Sequence, residues 1–196
     1  MPSDPTILAF DTSAAHCAAA LLSNGRIVLS QSEPMSRGQA ERLMPLLEGV
    51  LEEAECNWHD LDAIGVGTGP GNFTGIRVSV SAARGLALGL SVPAVGVSGF
   101  EASALLAPDN TIPAIAAPRD QVYVMRDATS PALISQDQAE SIGPLFFCEQ
   151  PQFQVEAIAR IASERWSDSN VPPAPLYVRP ADAALSRDMP PVLLDP

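Results

Sequence analysis

Lysine is absent from this chain; all eleven basic residues are arginine. That absence excludes a P-loop, which sets a lysine on the β/γ-phosphates, a protein kinase with its strand lysine, and Schiff-base chemistry on an amine. Histidine occurs only at His16 and His59, and cysteine only at Cys17, Cys56 and Cys148. Three widely spaced cysteines give no disulfide framework; they suit a reducing compartment and are expected as small buried hydrophobes. Cys56 and His59 form a lone Cys-x-x-His, short of the four ligands of a structural zinc, so no metal site is expected. No run approaches the roughly 18 apolar residues of a membrane span, and residues 1–6 lack the basic start and apolar run of a signal peptide. The expected compartment is the cytoplasm, with no membrane contact. Positive charge is also scarce: the net charge is −12. A nucleic-acid-binding face needs clustered cations to neutralise phosphates, so any RNA role is expected to be indirect.

What is present is a chain of 196 residues, 46% hydrophobic, enough for one substantial core or two small lobes. Residues 6–11 read as a buried strand. Residues 17–22 and 27–31 flank Ser23-Asn24-Gly25-Arg26, whose Asn-Gly centre predicts a tight hairpin, giving a three-strand meander. Ser36 and Gln39 have capping-box spacing. Leu43, Leu47, Val50 and Ala54, with Met44 and Leu51, then fall on one helical stripe that Pro45 interrupts. A strand at 61–67 leads through a glycine-rich loop, 67–75, into a helix ending near Leu88 with Gly89 as its cap. A strand at 92–97 and a second capping box, Ser98 with Glu101, open a helix running to about Ala107. The order β-β-β-α-β-α-β-α predicts an α/β lobe over 1–107. Beyond it, strands are expected at 111–116 and 121–126 around Pro118-Arg119-Asp120. Val155, Ile158, Ala159, Ala162 and Trp166 form a helical stripe, and 171–180 and 189–196 are proline-rich and irregular. Residues 108–196 thus predict a reduced second lobe with a proline-rich tail.

Two segments invite a chemical reading. Asp11-Thr12-Ser13 follows the first strand, where a carboxylate and hydroxyls are placed to face a metal–phosphate group; the same triplet also serves as an ordinary polar turn. In the 67–75 loop, alternating glycines allow close backbone approach ahead of a helix N-terminus, so Gly69, Gly71 and Thr74 join Asp11 and Thr12 as candidates for facing a phosphate or nucleotide. The loop is neither a Walker A sequence nor a Rossmann fingerprint, and a structural turn with tight helix packing fits it equally. A hydrolytic triad is not expected, because His16 and Cys17 adjoin at a strand start and their side chains diverge.

The runs Ile7-Leu8-Ala9-Phe10-Asp11-Thr12-Ser13, Glu41-Arg42-Leu43-Met44-Pro45-Leu46-Leu47 and Gly69-Pro70-Gly71-Asn72-Phe73-Thr74-Gly75-Ile76-Arg77 together resemble, in order and spacing, the TsaB family of tRNA-modification proteins. Ala83-Arg84-Gly85-Leu86-Ala87 and Val95-Gly96-Val97-Ser98 extend the resemblance over nearly all of 6–107. Residues 116–124 and Pro175-Leu176-Tyr177-Val178-Arg179-Pro180 look like the family's second-lobe turn and closing Tyr-x-Arg stretch. The stretch between about 128 and 171 looks trimmed against the family.

The resemblance implies an actin-like, ribonuclease-H-like fold of mixed sheet and helices, with a smaller, shortened second lobe of related type. It implies a non-catalytic subunit, without cofactor, in the formation of threonylcarbamoyladenosine beside the tRNA anticodon. The implied partners are a TsaD-type transferase paralogue and a TsaE-type ATPase, with a homodimer when alone and tRNA reached only through the complex. The transferase holds its metal by a His-x-x-x-His pair, whereas Arg37-Gly38-Gln39-Ala40-Glu41-Arg42 carries no histidine at the corresponding helix. The resemblance also puts the first two helices at a four-helix contact, making Leu43, Met44, Leu47, Val50, Leu51 and Arg77 the expected interface; packing within the chain's own core is the competing reading of the apolar positions. The alternative function is a nucleotide-binding hydrolase or phosphotransferase of the same superfamily.

Overall fold

The computed structural model describes residues 4–125, 130–169 and 171–178. The opening apolar run forms β1 (Ile7–Asp11), buried throughout. Antiparallel to it run β2 (His16–Ser23) and then β3 (Arg26–Pro34). Asn24 and Gly25 join them with φ of 50° and 71°. Positive φ at both centres matches the right-handed twist of the flanking strands, and the expected meander is formed. Next come α1 (Gln39–Glu53), β4 (Ala63–Gly67), α2 (Phe73–Leu90), β5 (Ala94–Val97) and α3 (Gly99–Leu106). The sheet order is β3-β2-β1-β4-β5, with β4 parallel to β1 and β5 parallel to β4.

Period-two alternation along the strands splits the core into two layers. Leu8 and Phe10 of β1, with Cys17, Ala19 and Leu21 of β2, face α1 and α2. Ile7 and Ala9, with Ala18, Ala20 and Leu22, face the other way, onto α3 and onto α5 (Pro151–Arg165). The second layer is built from small residues, so the α5 backbone comes close: a Cβ on Gly65 would stand 3.1 Å from those of Ala9 and Ala162.

Helix ends depart from expectation in instructive ways. The Ser36–Gln39 capping box does not form. Gly38, at φ 89°, is the N-cap and turns the chain just before Gln39, which leaves Ser36 outside the first turn. Gln39 instead sends its amide back to the Met35 carbonyl at 3.3 Å. α2 runs past Gly89 and stops at Ser91, itself left-handed at φ 59°. Ser98 and Glu101 do form the expected reciprocal cap of α3.

A second sheet has the order β8-β7-β6-β9 and is built from β6 (Ile112–Ala117), β7 (Gln121–Met125), β8 (Pro131–Ser135) and β9 (Leu145–Phe146), with α4 (Gln136–Glu140) between the last two. Arg119 and Asp120 turn β6 into β7 at φ 65° and 52°. β8, α4 and β9 went unforeseen because they are short, and every position of β8 is half-buried, which erases any alternation. The residues expected as a trimmed stretch therefore hold β8, α4, β9 and α5. The tail from 171 to 178 has neither helix nor strand. Arg179, Pro180 and 189–196 lie outside the described residues. Among those described, no helix is long and apolar enough to cross a membrane.

Candidate functional site

The C-terminal end of β1 delivers Asp11, Thr12 and Ser13 to the edge of the sheet, all three with exposures of 4% or less. The Asp11 carboxylate is engaged from within the chain. Ser13 Oγ donates to Asp11 Oδ2 at 2.9 Å, and the Ser13 amide reaches Oδ1 at 3.3 Å. His16 places Nε2 2.9 Å from the same Oδ2 and is itself only 5% exposed. A carboxylate only accepts, so His16 carries its proton on Nε2 in this contact. Thr12 points elsewhere and donates to the Gly75 carbonyl at 2.7 Å.

The glycine loop closes over this turn. A Cβ on Gly67 would overlap the Asp11 carboxylate, one on Gly71 the Ser13 carbonyl oxygen, and one on Gly75 the Thr12 carbonyl oxygen. The room that the glycines leave is filled by the chain's own backbone. Asn72 locks the arrangement: its amide donates to the Ser13 carbonyl at 2.6 Å, and its side chain caps α2 by accepting from Gly75 N at 3.0 Å. Ser79, fully buried one turn on, donates back to the Gly67 carbonyl at 3.2 Å.

Beside the loop lies a cleft of about 870 Å³ between the two sheets, bordered by Ser13, Gly71, Phe73, Arg77, Ile115 and Tyr123 among others. Of the five residues expected to face a phosphate, Gly71 reaches this cleft. Asp11 and Thr12 are buried behind it, their polar atoms turned onto Ser13, His16 and Gly75. Gly69 is buried, at φ 93°, and Thr74 stands exposed on the first turn of α2. A metal–phosphate group would need the Asp11 carboxylate turned to the cleft, so the residues present do not fit one. Among the described residues no cluster of three or more His, Cys, Asp or Glu side chains could hold a metal.

The expected interface residues separate by exposure. Leu43, Leu47, Val50 and Leu51 are exposed by 3% or less and pack on β1, β2 and β4. These four positions of the helical stripe therefore lie on the core face of α1. Met44, at 36% exposure, and Arg77 remain outside. Cys17 is buried as expected, and burial, reinforced by the Glu33 and Asp11 charges, pushes its thiol up to about 12. Cys56 and Cys148 are half-buried instead.

The profile of a protein family described as "TsaD: tRNA N6-adenosine threonylcarbamoyltransferase" matches residues 25–165. The chain belongs to this TsaD family. Proteins similar to it include ones called TsaB and YeaZ. The tRNA threonylcarbamoyladenosine biosynthesis protein TsaB of Haemophilus influenzae is 35% identical over 123 residues, covering 60% of this chain and 52% of that protein. An uncharacterised Mycobacterium bovis protein is 30% identical over 198 residues, covering 91% and 93%. A Pseudomonas aeruginosa crystal structure, of a protein with similarity to peptidase YEAZ, superposes with a TM-score of 0.72 at 28% identity, covering 89% of this chain and all of that one. The mixed α/β class is thus both expected and found. The chain spans about half the length of the curated TsaB relatives it matches, or less. The TsaD-family match takes in the glycine loop and α1 to α5, whereas Asp11, His16 and the tail lie outside it.

His16 was legible in the sequence only as a structural or surface residue. Its contact with Asp11 depends on the tightness of the turn between β1 and β2, which spacing alone does not specify. The tail residue Tyr177, whose ring lies 5.0 Å from that of Phe73, was visible only as part of a family motif.

Proposed function

We propose that this chain is a non-catalytic subunit in the formation of tRNA threonylcarbamoyladenosine, supporting a TsaD-type transferase that performs the transfer. The observation that carries the reading is the engaged Asp11: its carboxylate is held by Ser13 and His16, and the glycine loop beside it is filled by the backbone of Thr12 and Ser13. A group that must orient a metal or activate a substrate needs free lone pairs facing solvent or ligand, and here they face the interior. In this reading a TsaE-type ATPase joins the assembly, the protein pairs with itself when alone, tRNA is reached through partners, and the cytoplasm is the site of action. The chain is divided near residue 107 into two lobes, with α5 returning to the first. Met44 and Arg77 belong to the partner-facing surface of α1 and α2.

Deleting the gene and measuring modified nucleosides in digested tRNA tests the proposal. Loss of threonylcarbamoyladenosine, restored by the wild-type gene, is the expected result; unchanged modification would overturn it. The second reading, a nucleotide hydrolase or phosphotransferase, draws on the 870 Å³ cleft and requires binding of magnesium–ATP, which calorimetry on the isolated chain measures directly.

A further inference from the structure

The described tail, residues 171–178, is strapped across the end of the first sheet at three points. Pro173 lies against Gly96, where an added Cβ would come within 3.0 Å of the proline ring. The Leu176 amide donates to the Thr68 carbonyl at 2.8 Å, on the strand end that opens the glycine loop. Tyr177 stacks on Phe73 with ring centroids 5.0 Å apart and planes tilted by 34°. The first anchor lies on β5, and the other two lie on the loop and on the first turn of α2.

Arg77, one turn into α2, lies over the Phe73 ring and beside Tyr177. Its guanidinium carbon lies 3.7 Å from the centre of the Phe73 ring, and its Nε donates to the Tyr177 hydroxyl at 2.9 Å. A guanidinium offers five N–H donors in a rigid fork. With one face over Phe73 and Nε engaged, the edge formed by the two terminal nitrogens has no hydrogen bond among the described residues. That edge matches a carboxylate bidentately. Arg77 is exposed, and no ion pair to it is found among the described residues. A long side chain loses rotamer entropy on binding, and holding it beforehand removes part of that cost.

We propose that Tyr177 is a positioning residue which presents the outer edge of Arg77 to a carboxylate on the transferase subunit. The inference rests on the partner-subunit reading above. A phosphate of tRNA is disfavoured as the target, because one cation on a chain of net charge −12 does not make a phosphate-binding face.

The test is calorimetric titration of the full chain with the purified TsaD-type subunit, without tRNA, for wild type, Tyr177→Phe, Arg77→Ala and the double variant. Tyr177→Phe keeps the ring stack and removes only the hydroxyl. It is expected to weaken binding about fivefold, and to add nothing in the Arg77→Ala background. A structural role for the tail would move affinity equally in both backgrounds, and that result, or wild-type affinity for Tyr177→Phe, would overturn the proposal. Wild-type protein that does not bind the transferase at all removes the partner reading and with it the carboxylate contact. The positioning itself is then read by the NMR signal of the Arg77 Nε–H, slowly exchanging in wild type and fast in Tyr177→Phe; equal exchange overturns that too.

Discussion

Gly75 is pressed against the Thr12 carbonyl oxygen, and Gly49 in α1 has no neighbouring atom within 4 Å of where its Cβ would sit. Gly75→Ala drives a methyl into backbone that cannot rotate away, and is expected to destabilise the fold by about 3 kcal/mol or more. Gly49→Ala removes unfolded-state freedom without a clash and is expected to stabilise by about 0.5–1 kcal/mol. Urea denaturation of the two variants checks both signs. Cys17 makes a second residue-scale prediction. Its folded-state pKa of about 12 lies above the ordinary 9.0, so its contribution is fully present below pH 9 and is lost as pH rises toward 12. Between pH 9 and 11, Cys17→Ala is therefore expected to lose stability less steeply than wild type, a comparison of slopes from denaturation at each pH. The glycine spacing was legible in the sequence, and so was the choice between ligand cradle and tight turn. That the carbonyls of Thr12 and Ser13 occupy the space was not, because the contact joins positions some 60 residues apart.

Two capping boxes with the same spacing had opposite fates at the scale of the element. Ser98 accepts from the Glu101 amide at 3.2 Å, while the Glu101 carboxylate takes the Ser98 amide at 2.8 Å and an Arg165 guanidinium at 2.6 Å. Burial raises the Glu101 pKa, but these hydrogen bonds outweigh it and leave the carboxyl below its ordinary 4.5. Ser36 meets no such frame, because Gly38 takes the N-cap position of α1. Ser98→Ala is expected to cost about 1 kcal/mol and Ser36→Ala close to nothing, and paired thermal melts separate the two. The lesson for reading helix starts is local: a left-handed glycine between a capping serine and the first apolar residue overrides the spacing rule. α5 was foreseen from its stripe, and the short β8 and β9 were not, since strands that are half-buried throughout leave no periodic trace.

For the whole molecule, the decisive question is which side of α1 faces in. Leu47 is fully buried between α1 and the sheet, while Met44, one turn away on the same helix, is exposed. Leu47→Glu is expected to unfold the protein, because an unpaired carboxylate in that layer has no compensating partner. Met44→Glu is expected to leave the fold and its melting temperature nearly unchanged and to weaken association with the transferase subunit; circular dichroism and co-purification read the two effects separately. The sequence by itself determined the α/β class, the meander, the order of the first eight elements and the absence of lysine chemistry, because apolar periodicity, turn dipeptides and composition act over a few residues. Only the tertiary structure decided that the helical stripe is core, that His16 closes on Asp11, that α5 returns beneath the first sheet, and that Tyr177 reaches Arg77 a hundred residues back. Those outcomes depend on which surfaces meet once the chain has folded, and contacts at that separation are set by the packing of whole layers.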